Sequence, residues 1–285
     1  EIALSHANID FKFWREGESR SGALAYMRRT NFKQLPVLNE AGQLIDVLFI
    51  DMEMEQKIDT VAVIMAGGKG TRLRPKTNSC PKPMVLVRGK PMLERIIENL
   101  MQYGVSKFII SVNYLKEQII DYFESGKKWG VAIEYLIEEE PLGTVGALKL
   151  LNEVPKAPFF LINGDIMTRV NFSHLWEAHI ESDAAVTLSV RNYEVQIPFG
   201  VISLEGRMVK GIEEKPIQAM HINAGIYCLS PEILSVVKEN DYMDMPDLID
   251  RLINRNRKVE AFPIHEDWLD VGIHDDLERA QKLFN

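Results

Sequence analysis

Val61-Ala62-Val63-Ile64-Met65-Ala66-Gly67-Gly68-Lys69-Gly70-Thr71-Arg72-Leu73, continuing to Pro81-Lys82-Pro83, is the stretch whose reading decides the fold. The apolar run from Val61 to Ala66 reads as a buried parallel strand, and a glycine-rich turn ends it at once. Gly67, Gly68 and Gly70 carry no side chains, so the backbone can bend sharply and bring its N–H groups close to a polyphosphate. Arg72 and Lys82 add positive charge beside that cradle. A P-loop needs G-x-x-x-x-G-K-[ST], whereas Thr71 and Arg72 follow Gly70. A dinucleotide fingerprint needs a third glycine or alanine after G-x-G, which Gly68 to Leu73 lacks. This is a phosphate loop of another kind.

Working outward, the bulk of the chain sets bounds. Its 285 residues allow one large domain with a small one, or two of ordinary size. A hydrophobic content of 46% fits a globular protein with a sizeable core. The balance of 33 basic against 41 acidic residues gives −8, which argues against nucleic acid as a partner and leaves room for a local basic pocket. Cys80 and Cys228 stand far apart, which points to a reducing, cytoplasmic setting. No apolar run reaches the roughly 18 residues a bilayer span needs, and Glu1-Ile2-Ala3 opens no signal-peptide pattern. No membrane partner is expected.

Residues 1–58 form a first unit. Ala23, Leu24 and Met27 give a helical apolar face, and Gln34 to Leu38, the turn Asn39 to Gln43, and Leu44 to Ile50 read as a hairpin. The charged Asp51 to Lys57 links it to a second unit over 59–285. There the pattern predicts helices over Pro91 to Tyr103, Lys116 to Phe123 and Thr144 to Leu151. Strands are expected over Lys107 to Val112, Val131 to Leu136 and Pro158 to Asp165. This succession with short crossovers predicts an α/β, Rossmann-like, doubly wound sheet, mixed but mostly parallel. The later strands (Ala184 to Val190, Gly200 to Leu204, Gly225 to Leu229) and helices (Pro246 to Asn254, Asp275 to Leu283) should extend the same sheet and wall the site opposite the glycine loop.

Several residues carry two readings. Asp165 ends an apolar strand where ligands sit in open α/β sheets, and taken alone it is equally a turn or cap residue. Gly143-Thr144 opens a second glycine-rich loop, with a capping role for Thr144 as the plainer account. Glu138-Glu139-Glu140 reads as a solvated face. Trp268 either shapes a pocket or belongs to the core. His174 and His179 read as surface or packing residues, and the histidines and cysteines show no metal spacing.

The combination "GGKGTRLRPKT…PKPM" closely resembles the signature of the sugar-1-phosphate nucleotidyltransferases, over Val61 to about Leu283. The resemblance implies a reaction of a nucleoside triphosphate with a sugar 1-phosphate that releases pyrophosphate. On that pattern Ala66, Gly67, Gly68, Gly70 and Thr71 would bind the nucleotide, with Gly143 and Thr144 against its base. Arg72 would hold the leaving phosphates and Lys82 would neutralise charge near the α-phosphate. Asp165 and Asp270 would hold Mg2+, since phosphoryl chemistry gathers negative charge and magnesium favours one or two carboxylates. Gly200, Glu214, Lys215, Asn223 and Trp268 would serve the sugar phosphate. "PLGT-x-GAL" resembles the guanylyltransferase version, so GTP is expected ahead of thymidylyl, cytidylyl or uridylyl donors. A catalytically silent nucleotide-binding regulator is the alternative of another class. "QLPVLNEAGQLIDVLFI" resembles one repeat of a CBS domain. It implies a small α+β fragment beginning partway through a CBS pair, and allows a homodimer.

Overall fold

The computed structural model describes residues 12–18, 20–49, 58–237 and 242–284. The expected link from Asp51 to Lys57 lies outside them, as does the opening Glu1-Ile2-Ala3. The first elements are β1 (Trp14–Arg15), α1 (Arg20–Thr30), β2 (Gln34–Leu38) and β3 (Leu44–Phe49). β1 pairs parallel to β2, and β2 and β3 form the expected antiparallel hairpin, with Gln34 opposite Phe49. Asn39 closes the turn by accepting from the Gln43 N–H at 2.9 Å. Ala23 and Met27, four apart on α1, bury one face against Leu35, Val37 and Leu48. The other side of α1 leans on α5 and β15, described below.

The remaining elements run β4 (Val61–Met65), the short pair β5 (Leu86–Val87) and β6 (Lys90–Pro91), α2 (Met92–Gln102), β7 (Lys107–Val112), α3 (Lys116–Phe123) and β8 (Ala132–Ile137). Next come α4 (Gly143–Gly146), β9 (Phe159–Asn163), β10 (Ile166–Thr168), α5 (Phe172–Ser182), β11 (Val186–Gln196), β12 (Gly200–Glu205), β13 (Met208–Glu214) and β14 (Ile217–Leu229). The last are α6 (Met245–Asn254), β15 (Val259–Pro263), β16 (Trp268–Asp270) and α7 (His274–Leu283). The central sheet has the order β15-β11-β14-β9-β4-β7-β8. Only β14 runs against the others, so the sheet is mixed and mostly parallel, as expected.

Alternation explains why β4 and β9 are apolar at nearly every position. Ala62, Ile64, Phe160 and Ile162 point to one face, with Leu93, Ile97 and Leu100 of α2 and Phe172 and Leu175 of α5. Val63, Phe159 and Leu161 point to the other, with Leu248 and Leu252 of α6. A strand buried on both faces must be apolar on both. Removing one fully buried ring, such as Phe160, would cost about 3–5 kcal/mol.

Three expectations need correction. Thr144 to Leu151 is not one helix but the single turn α4 followed by a 3-10 turn over Ala147–Leu150. β11 starts two residues later than expected and runs on to Gln196, and Gly225 to Leu229 is only the end of the long β14. These two strands extend beyond the core as a ribbon, Gln196 opposite Ile217, and β12 and β13 form a hairpin of their own beside it.

Candidate functional site

Four loops at the carboxyl ends of the parallel strands build the site. The first follows β4. Gly67 lies over Glu138: a Cβ there would stand 2.9 Å from Glu138 Oε1, while at Gly68 it would meet nothing within 4 Å. Gly70, at φ +58°, starts a 3-10 turn over Thr71–Leu73, and a Cβ on it would strike Lys82 Cβ at 2.8 Å. Glycine is therefore required there on two counts. The Ala66 N–H is already spent on Ser111 O at 2.8 Å, so Ala66 has no amide to give a ligand.

Beside this loop, three charged groups converge. Lys82, buried in its 3-10 turn, donates from Nζ to Asp165 Oδ2 at 2.5 Å and lies 3.9 Å from Asp270 Oδ1. The two aspartates come together because β10 and β16 pair antiparallel, Ile166 opposite Asp270, and Val271 N–H donates to Asp165 O at 3.1 Å. Arg72 is adjacent, its guanidinium 3.5 Å from where a Cβ on Gly272 would sit. Desolvation pushes the Asp270 carboxyl above its ordinary value, Asp165 adds to the rise, and Lys82 and Arg72 pull it back. One ammonium thus sits between two carboxylates that repel each other. Asp165 sits in the turn between β9 and β10 rather than at a strand end, and Asp270 ends β16. These two carboxylates suit a divalent cation that completes its shell with phosphate oxygens and water. Among the described residues no third acidic, histidine or cysteine side chain joins the pair as a ligand cluster.

A cavity of about 500 Å³ adjoins these groups. Gly67, Gly68, Gly143, Thr144 and Asp165 line it, together with Asn113, Glu138, Tyr242 and Asp244, none of which the sequence had singled out for a ligand. Glu139 and Glu140 are exposed as expected, but Glu138 is buried. Its carboxylate accepts from Ser111 Oγ at 2.6 Å and from the Leu142 N–H at 2.9 Å. The signal was there: Leu136 faces inward on β8, and the period of two carries Glu138 to the same face. Gly143, at φ +78°, is pressed against the chain itself, since a Cβ would stand 2.5 Å from Met243 O.

The residues assigned to the sugar divide into two groups. Trp268 donates from its indole to Ala224 O at 2.8 Å and pairs with Thr168 beside the carboxylates. Asn223 donates to the Tyr227 hydroxyl at 2.7 Å and accepts from the Gly225 N–H at 3.0 Å. Burial pushes the Tyr227 phenol up to about 12, Asn223 opposing and Asp244 adding, so it stays protonated. Gly200 and Glu214 face each other across the β12–β13 hairpin, and Lys215 follows at φ +49°. Among the described residues no hydrogen bond or ion pair joins those three to Asp165 or Asp270. His174 and His179 are buried packing residues with hydrogen-bond partners, as expected.

Comparison with known proteins supplies the remaining findings. The family model described as nucleotidyl transferase matches residues 61–285. Mannose-1-phosphate guanyltransferase of Yarrowia lipolytica is 34% identical over 230 residues, covering 78% of this chain and 63% of that protein. Mannose-1-phosphate guanyltransferase 2 of Candida glabrata is 33% identical over 231 residues, covering 78% and 64%. The chain therefore spans less than two thirds of the length of these curated relatives. Among solved structures, HddC from Yersinia pseudotuberculosis is 30% identical with a TM-score of 0.61, covering 79% of this chain and 100% of that one. The same protein complexed with GMP-PN gives a TM-score of 0.60 at 30% identity, with the same coverage.

Proposed function

The chain belongs to the nucleotidyl transferase family, and from that premise we propose that it transfers a guanylyl group from GTP to a sugar 1-phosphate, releasing pyrophosphate. Mannose 1-phosphate is the first acceptor to try, because the curated relatives are mannose-1-phosphate guanyltransferases. The convergence of Lys82, Asp165 and Asp270 beside the glycine loop is the observation that carries this reading.

In this reading the backbone of Gly67, Gly68, Gly70 and Thr71 cradles the triphosphate, and Arg72 takes the charge of the departing pyrophosphate. Lys82 moves its charge toward the α-phosphate while the sugar phosphate attacks in line, so catalysis is positioning and charge neutralisation. Mg2+ held by Asp165 and Asp270 would screen the approaching phosphates from each other when bound. Glu138, an acceptor on the cavity wall, suits guanine, whose N1–H and exocyclic amine are both donors. Gly143 and Thr144 shape the base pocket. Gly200, Glu214, Lys215, Asn223 and Trp268 serve the sugar phosphate.

The assignment extends to the rest of the molecule. Residues 1–58 are a CBS-like unit attached to a nucleotidyltransferase domain over 59–285, a reading that the β1–β2–β3 sheet with α1 supports. A homodimer and a cytoplasmic setting complete it; no helix among the described residues is long and apolar enough to cross a membrane. A panel of nucleoside triphosphates and sugar 1-phosphates, assayed for pyrophosphate with Mg2+, tests the proposal. Turnover greatest with GTP supports it, and no turnover with any pair rejects it.

A further inference from the structure

The ribbon formed by β10 and β16 holds Asp165 and Asp270 at one end. Its other end is held from the first unit by Asn31, while Lys33 lies 3.7 Å from Glu266 and the Phe32 ring packs on His265 at 5.3 Å. Asn31 Nδ2 donates to Glu266 Oε2 at 2.7 Å, and Asn31 Oδ1 meets His174 Nδ1 at 2.9 Å. Glu266 stands two residues before β16, the strand that ends in Asp270. His174 lies in the first turn of α5, which follows β10 and so follows Asp165. That turn is fixed by Asn171, whose side chain accepts from the His174 N–H at 3.0 Å.

The path between the two ends is stiff. Arg169 N–H donates to Asp267 O at 2.9 Å, which prolongs the ribbon toward Asn31. Arg191 on β11 holds Glu266 O at 2.7 Å. Asn31 is only 2% exposed, and the Glu266 side chain only 8%. The Lys33 ammonium lies 3.7 Å from Glu266 Oε1. Glu266 Oε2 also accepts from the His265 N–H at 3.2 Å, and a buried carboxylate that loses one of its donors is destabilised where it stands.

Asn31 also occupies the left-handed position after α1, at φ +56°. Glycine would serve that cap as well or better, so the cap alone does not account for an amide. We infer that Asn31 is a positioning residue: the first unit uses it to fasten both tails of the β10–β16 ribbon and thereby sets the spacing of Asp165 and Asp270. The inference rests on the reading of those two aspartates as the cation-binding pair. It makes the first unit a structural part of the reaction centre, reaching the centre through two strands without touching a substrate.

The test uses the full chain and Mn2+ binding, read from the electron paramagnetic resonance signal of free Mn2+, so no turnover is needed. Asn31→Gly keeps the cap and deletes the amide, and Glu266→Gln keeps the shape and deletes the charge. Each should weaken Mn2+ binding about tenfold, the size expected when a group that orients metal ligands is lost. The double variant should be no weaker than the worse single one, because both act on one path. In fluorotryptophan-labelled protein, the fluorine resonance of Trp268 on β16, assigned with Trp268→Phe, should shift in both variants. If Asn31→Gly does not fold, Glu266→Gln carries the test by itself. A lowered melting temperature with unchanged Mn2+ binding and an unchanged Trp268 resonance overturns the inference. Asp270→Asn separates the two levels: loss of Mn2+ binding upholds the aspartate pair whatever Asn31 does, and full binding rejects the pair and the inference together.

Discussion

Thr144 and Asp244, a hundred positions apart, are tied together: the Thr144 N–H donates to Asp244 Oδ1 at 3.0 Å. Around that bond, Met245 N–H donates to Thr144 Oγ1, and the N–H groups of Val145 and Gly146 both donate to Met243 O. The Gly143–Thr144 loop is therefore pinned by the segment leading into α6. Gly143→Ala would force a Cβ into Met243 O while holding a left-handed backbone. The expected cost is about 2 kcal/mol, from the backbone alone or more with the clash, in a urea unfolding series. The Michaelis constant for the nucleotide should rise with it.

Under the proposed reaction, Asp270→Asn should lower turnover about a thousandfold, since charge stabilisation by a bound cation supplies several kcal/mol. The same change should raise the melting temperature in chelator-treated buffer at neutral pH. The folded protein holds the Asp270 proton more firmly than the unfolded chain does, so ionising this group costs stability. The gain should shrink as pH falls through the raised pKa. A variant that kept its turnover would remove Asp270 from the reaction.

Glu138→Gln should impair the use of guanine nucleotides. Replacing the acceptor with an amide that also donates leaves one guanine donor unpaired, worth about tenfold to a hundredfold in the Michaelis constant for GTP. Wild-type protein should prefer GTP to ITP, which lacks the exocyclic amine, and Glu138→Gln should narrow that preference. Equal losses with both nucleotides would assign Glu138 to loop support alone.

His179 supplies a pH dependence unrelated to the reaction. Burial lowers it to about 4 between the hydroxyls of Thr187 and Ser230, against the upward pull of Asp183 and Glu260. The unfolded chain takes up this proton near 6.5, so between those values the unfolded state binds more protons than the folded one. Stability should therefore fall by roughly 3 kcal/mol as pH drops through that window. Urea midpoints at the two ends should differ accordingly, and His179→Gln should flatten the dependence.

The sequence was most legible where burial wrote a simple pattern. β4, β7 and β9 are buried on both faces, and their largely apolar runs, interrupted in β7 by Ser111, placed them to within two residues. The amphipathic α2 and α6 were equally plain. The outer halves of β11 and β14 were not, because Tyr193 to Gln196 and Ile217 to Met220 pair with each other over no core. Their regularity comes from cross-strand hydrogen bonds, which leave little trace in composition. Glu138 was hidden inside a triple glutamate whose other two members are solvated. Asn31 was hidden by resembling any cap residue, since its two partners lie far along the chain.

The antiparallel pairing of β10 with β16 has a consequence for how the protein is made. A nascent chain presents the glycine loop, Lys82 and Asp165 long before Asp270 leaves the ribosome. Until then Lys82 has a single carboxylate to neutralise, and the ribbon has one strand. A product terminated anywhere before β16 would keep the residues around the triphosphate loop and lack the second carboxylate. Translation order thus makes the arrival of β16 the step at which the carboxylate pair is completed.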